Sequence, residues 1–166
     1  KLMADANQAW TLNEAKDFLQ RIEETPLAWL EEPIQADRPE SEWQELCKIT
    51  NIPIAAGENI RGFDAFNDKI KSKTLGVIQP DICKWGGISA NRKIVKAIRN
   101  NGIRYCPHFL GGGIGLIASA HLLAAVGGDG MLEVDFNVNP LREDMAIPFP
   151  SVLDSKITLT TNSGLG

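Results

Sequence analysis

The chain has 166 residues, of which 43% are hydrophobic and 23% charged, an ordinary globular composition that excludes a disordered segment. Its net charge of −4, from 17 basic and 21 acidic residues without a basic cluster, excludes the electrostatic footprint of a nucleic-acid-binding protein. The longest apolar tract, residues 114–126, is shorter than the roughly 20 residues of a membrane span. The three cysteines are an odd number without metal-type spacing, which indicates reduced thiols in a cytoplasmic protein. Small molecules and metal ions are therefore the expected partners.

Short apolar runs alternate with helical patterns along the chain, and each run ends in one ionisable residue. The ionisable residues are Asp5, Glu31, Glu58, Asp81, His108 and Glu133, and they follow one another at intervals of 26, 27, 23, 27 and 25 residues. A strand, a crossover helix and two short loops need about this length, since a (β/α)8 barrel allots roughly 31 residues to each unit. The pattern predicts six consecutive barrel units, with all six side chains at one mouth.

The predicted helices carry start and stop signals. Residues Thr11 to Glu14 have the capping-box sequence, and apolar residues follow at helical spacing. Ser89 is predicted to cap the fourth helix, and Asn101-Gly102 to end it. Gly57 lies between the third strand and the third helix. Because it has no side chain, a backbone segment or a ligand can approach closely there.

The C-terminal part of the chain has a weaker pattern. Residues 116–126 predict a nearly all-apolar helix, and residues 131–136 predict the sixth strand. Residues 137–166, rich in proline and polar turns, predict no helix. Within them, residues 156–160 alternate like an edge strand.

Three carboxylates are predicted to meet at neighbouring strand ends. Asp5, Glu31 and Glu58 would repel one another there unless a cation lies between them. Ligation by oxygen alone favours Mg²⁺ over Zn²⁺, with calcium and manganese as further possibilities. Strand alternation places Glu32 on the side opposite Glu31, so we do not expect the two to share a role.

The next two strand ends bring Asp81 and His108 within reach of each other. An aspartate that accepts one imidazole N–H fixes the tautomer and raises the basicity of the other nitrogen, which describes a general base. Glu133, on the strand beyond, would face the carboxylates and hydrogen-bond a charge that develops on substrate oxygen. This arrangement suits removal of the proton α to a carboxylate, with a metal ion stabilising the enediolate.

In order and spacing, the motifs resemble those of the mandelate racemase subgroup of the enolase superfamily. The matching segments are Asp5-Ala-Asn7-Gln8, Trp29-Leu-Glu31-Glu32-Pro33, Gly57-Glu58-Asn59, Pro80-Asp81 followed by Gly86-Gly87, Pro107-His108 and Leu132-Glu133. The resemblance implies an α/β fold, a TIM-type (β/α)7β barrel. About six βα units of it, strands three to eight, would be present here as a partial barrel.

The resemblance also implies roles for individual residues. One Mg²⁺ ion would be bound by Asp5, Glu31 and Glu58, the base dyad would be Asp81 and His108, and Glu133 would hydrogen-bond the substrate carboxylate. Asn7 would contact the substrate, and Glu32 would be a neighbour of the metal site more than a ligand.

Lys84 has two interpretations. The related muconate-lactonising subgroup has a catalytic lysine at the matching place, three residues after the acid of that strand. Lys84 is therefore either such a base or a contact to the substrate and its surroundings. The presence of His108 with Asp81 favours the second interpretation.

Family members have further parts that the 166 residues do not contain. These are an N-terminal capping domain that selects the substrate, and two more barrel units, the second with a Lys-x-Lys motif that supplies a base on the opposite face. We therefore expect the chain to be part of a longer, homo-oligomeric protein. Residues 1–142 would form the partial catalytic barrel, and residues 143–166 a tail that returns toward the capping domain.

The predicted function is Mg²⁺-dependent abstraction of the α-proton of a small-molecule carboxylate. By the resemblance, the expected reaction is dehydration of a sugar acid. The alternative within the family is racemisation or epimerisation of a hydroxy acid, which needs two bases on opposite faces. The alternative from another class is a metal-binding barrel fragment without catalytic activity.

Overall fold

Five strands and five helices alternate through the first 126 residues in the computed structural model, which describes all 166 residues. The strands are β1 (Leu2–Asp5), β2 (Leu27–Glu31), β3 (Ile54–Ala56), β4 (Val77–Ile78) and β5 (Arg104–Tyr105). The helices are α1 (Leu12–Arg21), α2 (Glu40–Ile49), α3 (Phe63–Ser72), α4 (Gly87–Asn100) and α5 (Gly113–Val126). A short helix α6 (Pro140–Glu143) and a hairpin of β6 (Val152–Leu153) and β7 (Lys156–Ile157) follow.

The five strands form one parallel sheet in chain order, from β1 to β5. In the register, Asp5 lies opposite Glu31, and Glu31 lies opposite Ala55. Since all strands run in the same direction, their carboxyl ends meet at one edge of the sheet, as in a barrel. The predicted α/β partial barrel is thus present, with five paired strands.

Successive strand residues face opposite sides, which gives the sheet two apolar faces. On the helix side, Leu30, Ile54 and Ile78 belong to a core of 19 buried residues that includes Trp43 of α2 and Phe66 of α3. The other face carries a smaller cluster of four buried residues, Trp29, Ala55, Val77 and Cys106. No helix of the structure combines the length and apolar character that a membrane crossing requires.

The predicted helix signals hold at α1 but not at the start of α4. The Thr11 hydroxyl accepts the backbone N–H of Glu14, and the Glu14 carboxylate accepts the backbone N–H of Thr11, which completes the capping box. At α4 the cap is Gly86 in a left-handed conformation with φ 74°, so the helix begins before Ser89 and the predicted serine cap is wrong. Gly102, with φ 72°, follows the end of α4 as predicted.

The predictions for the C-terminal part need correction. Residues 131–136 form no regular strand, because they make no ladder hydrogen bonds and the backbone N–H of Met131 donates instead to Cys106 Sγ, at 3.4 Å. The predicted absence of a helix after residue 137 is wrong at α6, where Asn139 caps the first turn and proline occupies it. The predicted edge strand is shorter than residues 156–160, and it pairs with β6 in an antiparallel hairpin.

Candidate active site

The ionisable residues expected at the strand ends lie along the carboxyl edge of the sheet. Asp5 and Glu31 are the last residues of β1 and β2, while Glu58, Asp81 and His108 lie in the loops that follow β3, β4 and β5. Glu133 lies outside regular secondary structure. The parallel order of the strands therefore places five of the six predicted residues on consecutive neighbours.

His108 and Asp81 make the predicted contact. The His108 side chain is 5% exposed, and its Nδ1 lies 2.8 Å from Asp81 Oδ2. The other oxygen of Asp81 accepts the backbone N–H groups of Cys83, at 2.7 Å, and Lys84, at 3.1 Å. Burial alone would raise the pKa of Asp81, but these hydrogen bonds outweigh it and lower the pKa. Asp81 is thus an ionised, fixed acceptor that orients the imidazole.

The other imidazole nitrogen contacts Glu58. His108 Nε2 lies 2.6 Å from Glu58 Oε2, and Lys84 Nζ lies 2.8 Å from Glu58 Oε1. The His108 hydrogen bond, against the effect of burial and together with Lys84, lowers the pKa of Glu58 to about 2. Burial would lower the pKa of His108, but its bonds to Asp81 and Glu58 outweigh burial and raise that pKa to about 10. In this arrangement His108 is the conjugate acid of a base.

Glu133 reaches the same site although its predicted strand is absent. Its Oε2 accepts the backbone N–H of Phe109 at 2.7 Å and lies 4.0 Å from His108 Nε2. Burial raises the pKa of Glu133, and the Phe109 and His108 contacts only partly oppose this. Glu133 thus lies beside the imidazole, where its carboxyl group can take part in a hydrogen bond to a bound substrate.

Asp5 and Glu31 occupy the β1 and β2 side of the edge. Asp5 Oδ1 accepts the backbone N–H of Asn7 at 2.7 Å, and Glu31 Oε2 accepts the indole N–H of Trp29 at 3.0 Å. Burial raises the pKa of Glu31, hydrogen bonds from Gln79 and Trp29 oppose that rise, and the charge of Asp5 adds to it. Repulsion between the two carboxylates is thus present at this edge.

The residues at this edge fit a hard divalent cation by their chemistry. Asp5, Glu31 and Glu58 offer oxygen donors only, and the buried Oε1 of Gln79 has no hydrogen-bond partner. No group of three or more acidic, histidine or cysteine side chains lies in metal-binding geometry, and Glu58 is paired with His108 instead. Binding of Mg²⁺ by the three carboxylates stays a prediction.

Glu32 belongs to the site in a way that strand alternation did not predict. Its backbone has a left-handed φ of 38°, which interrupts the alternation after Glu31. Both Glu32 oxygens accept the Asn59 side-chain amide, at 3.0 and 3.1 Å, and the same nitrogen lies 3.1 Å from Glu58 Oε1. Burial, with added repulsion from Glu58 and Asp5, raises the pKa of Glu32 to about 7. The sequence signal for this contact was the amide of Asn59 directly after Glu58.

The whole chain matches one known protein family. The family described as "Enolase C-terminal domain-like" matches residues 1–166. The chain belongs to the enolase superfamily.

Curated relatives of this enolase superfamily chain act on sugar acids and their lactones. The chain is 27% identical over 174 residues to D-galactarolactone cycloisomerase from Agrobacterium fabrum, a match to 100% of the chain and 46% of the relative. It is 28% identical over 166 residues to arabinonate dehydratase from Saccharolobus solfataricus, a match to 100% of the chain and 44% of the relative. The chain therefore spans about half the length of the curated relatives it matches.

Solved structures of the superfamily share the fold. A mandelate racemase/muconate lactonizing enzyme from Bordetella bronchiseptica RB50 has a TM-score of 0.85 and 52% identity, covering 87% of this chain and 41% of that chain. L-Talarate dehydratase from Polaromonas sp. JS666, complexed with Mg and L-glucarate, has a TM-score of 0.72 and 29% identity, covering 81% of this chain and 36% of that chain. The enolase superfamily barrel and the mandelate racemase group are thus the correct fold and family.

Proposed function

We propose that the protein removes the α-proton of a sugar acid and dehydrates it. The observation that carries this proposal is the buried His108, held at Nδ1 by Asp81 and aimed with Nε2 at the carboxylate-lined edge of the sheet. Dehydratases among the relatives support the choice of reaction.

His108 would act at Nε2. When Glu58 turns away from Nε2, the contact that favours the protonated imidazole is lost, and the imidazole in its neutral form takes the α-proton. The electrons of the broken C–H bond form a C=C bond, and the β-hydroxyl leaves. The imidazolium then gives its proton to the departing hydroxyl, so that water is released and the enol product becomes a keto acid. Since Nε2 contacts Glu58 in this structure, substrate reaches the nitrogen only after Glu58 turns away.

The acids around His108 complete the proposed site. Asp5, Glu31 and Glu58 would hold one Mg²⁺ ion, which when bound supplies charge stabilisation for the substrate carboxylate as its α-proton leaves. Glu133 would hydrogen-bond that carboxylate, consistent with its position 4.0 Å from His108 Nε2.

Asn7 and Lys84 would contact substrate at the rim, where Asn7 and Asp5 are exposed and the Lys84 side chain is 33% exposed. The homo-oligomeric state, the cytoplasmic location and the division of the chain at residue 142 stay predictions.

Racemisation is the second candidate, because the Bordetella structure with 52% identity is described as a mandelate racemase/muconate lactonizing enzyme. It shares the first step, but the proton must return on the opposite face of the same carbon. It therefore needs a second base, whereas dehydration needs one.

Incubation of the protein with Mg²⁺ and a panel of acid sugars in D₂O tests these proposals. We expect proton NMR to show loss of the α-proton signal, and mass spectrometry to show a product lighter by one water. His108→Asn should abolish both, whereas His121→Asn, a matched substitution on α5 where Nε2 faces the Leu165 carbonyl, should abolish neither. Full exchange in His108→Asn would refute the assignment of the base.

The same experiment separates the alternatives. Exchange at the α-carbon without loss of water would favour the racemase. Binding of Mg²⁺ without exchange of any acid sugar would favour a metal-binding barrel fragment without catalytic activity.

A further inference from the structure

Glu32 has an unfavourable backbone that its surroundings hold in place. A residue with a Cβ rarely adopts a φ of 38°, and such conformations persist where neighbouring structure fixes them. Its backbone N–H donates to the Ala55 carbonyl at 2.9 Å, and its carbonyl accepts the Gln8 N–H at 2.8 Å. The Gln8 side chain in turn accepts the Ala36 N–H at 2.9 Å. The Glu32 backbone is therefore tied to β3 and to the loop after β1.

The Glu32 carboxylate is an anchor for one amide group. Only 2% of the residue is exposed, and the Asn59 Nδ2 donor serves both of its oxygens. A buried carboxylate needs hydrogen-bond donors to offset its lost hydration, so the amide is held against it. The same Nδ2 contacts Glu58 Oε1 at 3.1 Å. Asn59 thus bridges a buried, fixed carboxylate and the carboxylate of its own neighbour in sequence.

Glu58 is contacted from two sides. His108 and Lys84, from the loops after β5 and β4, bind its two oxygens. Asn59 is the contact that links Glu58 to the end of β2, where Glu31 lies. Without this link, the remaining contacts all draw the carboxylate away from the β1 and β2 side.

We propose that Asn59 is a positioning residue that holds Glu58 toward Asp5 and Glu31, with Glu32 as its anchor. This inference rests on the proposed function, because it concerns the direction of a proposed Mg²⁺ ligand. Groups that orient metal ligands typically change metal affinity by about 10- to 100-fold when they are removed.

Isothermal titration of the protein with Mg²⁺ alone tests the inference. We expect Asn59→Ala to raise the Kd for Mg²⁺ by about 10- to 100-fold. Its Tm in EDTA should fall by a few degrees, because the buried Glu32 carboxylate loses its amide donor, so both proteins are titrated well below their Tm. The same substitution at Asn162, an exposed residue of the tail, should change neither quantity.

Two variants of Glu32 separate anchoring from simple attraction of the cation. Glu32→Gln keeps an oxygen acceptor for the Asn59 amide and should retain most of the affinity, whereas Glu32→Ala should lose as much as Asn59→Ala. Equal losses in the two Glu32 variants would show that charge alone acts and would overturn the anchoring role.

The double variant completes the test. If Glu32 acts through Asn59, the Glu32→Ala and Asn59→Ala losses are not additive, and the double variant binds Mg²⁺ about as weakly as either single one. An unchanged Kd in Asn59→Ala, or additive losses, would overturn this inference while leaving the proposed function intact. A wild-type protein that binds no Mg²⁺ would overturn both.

Discussion

Replacement of Gly57 by alanine is expected to force β3 and β4 apart beside the site. A Cβ on Gly57 would lie 2.4 Å from the backbone nitrogen of Gln79, 2.6 Å from its carbonyl carbon and 2.9 Å from its Cα. All three atoms belong to the backbone, so no side-chain rotation can relieve the overlap. The φ of +156° adds strain for any residue with a Cβ.

The expected loss of stability in Gly57→Ala has three contributions. Overpacking against a fixed neighbour costs about 1–3 kcal/mol. The backbone conformation adds about 1 kcal/mol. Separation of the strands would also lose the bond from Gln79 N to the Ala56 carbonyl, which is 3.0 Å long and is worth about 1 kcal/mol. We expect Gly57→Ala to lower the free energy of unfolding by about 3–5 kcal/mol in total.

Gly87→Ala is the matched control for this variant. Gly87 also has a positive φ, +57°, but a Cβ there would meet no atom within 4 Å. Gly87→Ala should lower the free energy of unfolding by only about 1–2 kcal/mol, the cost of placing a residue with a Cβ in a left-handed conformation. Urea unfolding in EDTA, followed by tryptophan fluorescence and far-ultraviolet circular dichroism, measures both variants. A Gly57→Ala protein no less stable than Gly87→Ala would refute the steric reasoning.

Three further variants test the core and its rim in the same urea assay. Phe66→Ala removes a fully buried ring whose centroid lies 5.7 Å from that of Trp85. It should lower the free energy of unfolding by about 3–5 kcal/mol, and a decrease below about 1 kcal/mol would contradict this packing. Tyr105→Phe removes a buried hydroxyl that has no hydrogen-bond partner, so the free energy of unfolding should stay equal or rise by about 1 kcal/mol. A decrease of about 1 kcal/mol would indicate that the hydroxyl does have a hydrogen-bond partner. Burial raises the pKa of Glu40, but hydrogen bonds from Lys69 and neighbouring hydroxyls outweigh burial and lower this pKa. The ionised Glu40 therefore stabilises the fold at pH values above its ordinary pKa of 4.5, and this stabilisation is lost as the pH falls through the lower pKa of the folded state. Lys69→Met should therefore reduce the difference in unfolding free energy between neutral and acidic pH by about 0.5–1 kcal/mol, a value that allows for solvent screening. An unchanged difference would refute the pairing of Lys69 with Glu40.

The sequence was sufficient to predict the features that depend on the direction of the chain. A parallel sheet brings every carboxyl end to one edge, so the period of the apolar runs predicted that Asp81 and His108 would meet. The glycine directly before Glu58 predicted close backbone approach at Gly57, where the Gln79 backbone lies. These contacts follow from strand order and spacing, and they need no knowledge of side-chain conformation.

Features that depend on pairing or on a single backbone torsion were not predictable in this way. Residues 131–136 have a strand pattern, but a strand exists only where ladder bonds form, and here the segment is held by contacts to Cys106 and Phe109. Strand alternation assumes extended backbone, and the φ of 38° at Glu32 ends that regular alternation directly after Glu31. Nothing in the residue type of Glu32 indicates that torsion, which its backbone hydrogen bonds to β3 and to the loop after β1 maintain.

The choice between His108 and Lys84 as the base depends on how firmly each is held. Asp81 fixes one imidazole nitrogen and is itself fixed by two backbone N–H groups, so the direction of Nε2 is determined before any substrate binds. Lys84 has a flexible four-carbon stem, its side chain is 33% exposed, and its ammonium group is held only by Glu58. A base in proton abstraction must be oriented toward one face of the substrate, and this structure provides that orientation for the histidine alone. This difference favours the proposed roles, with His108 as the base and Lys84 as a contact to substrate.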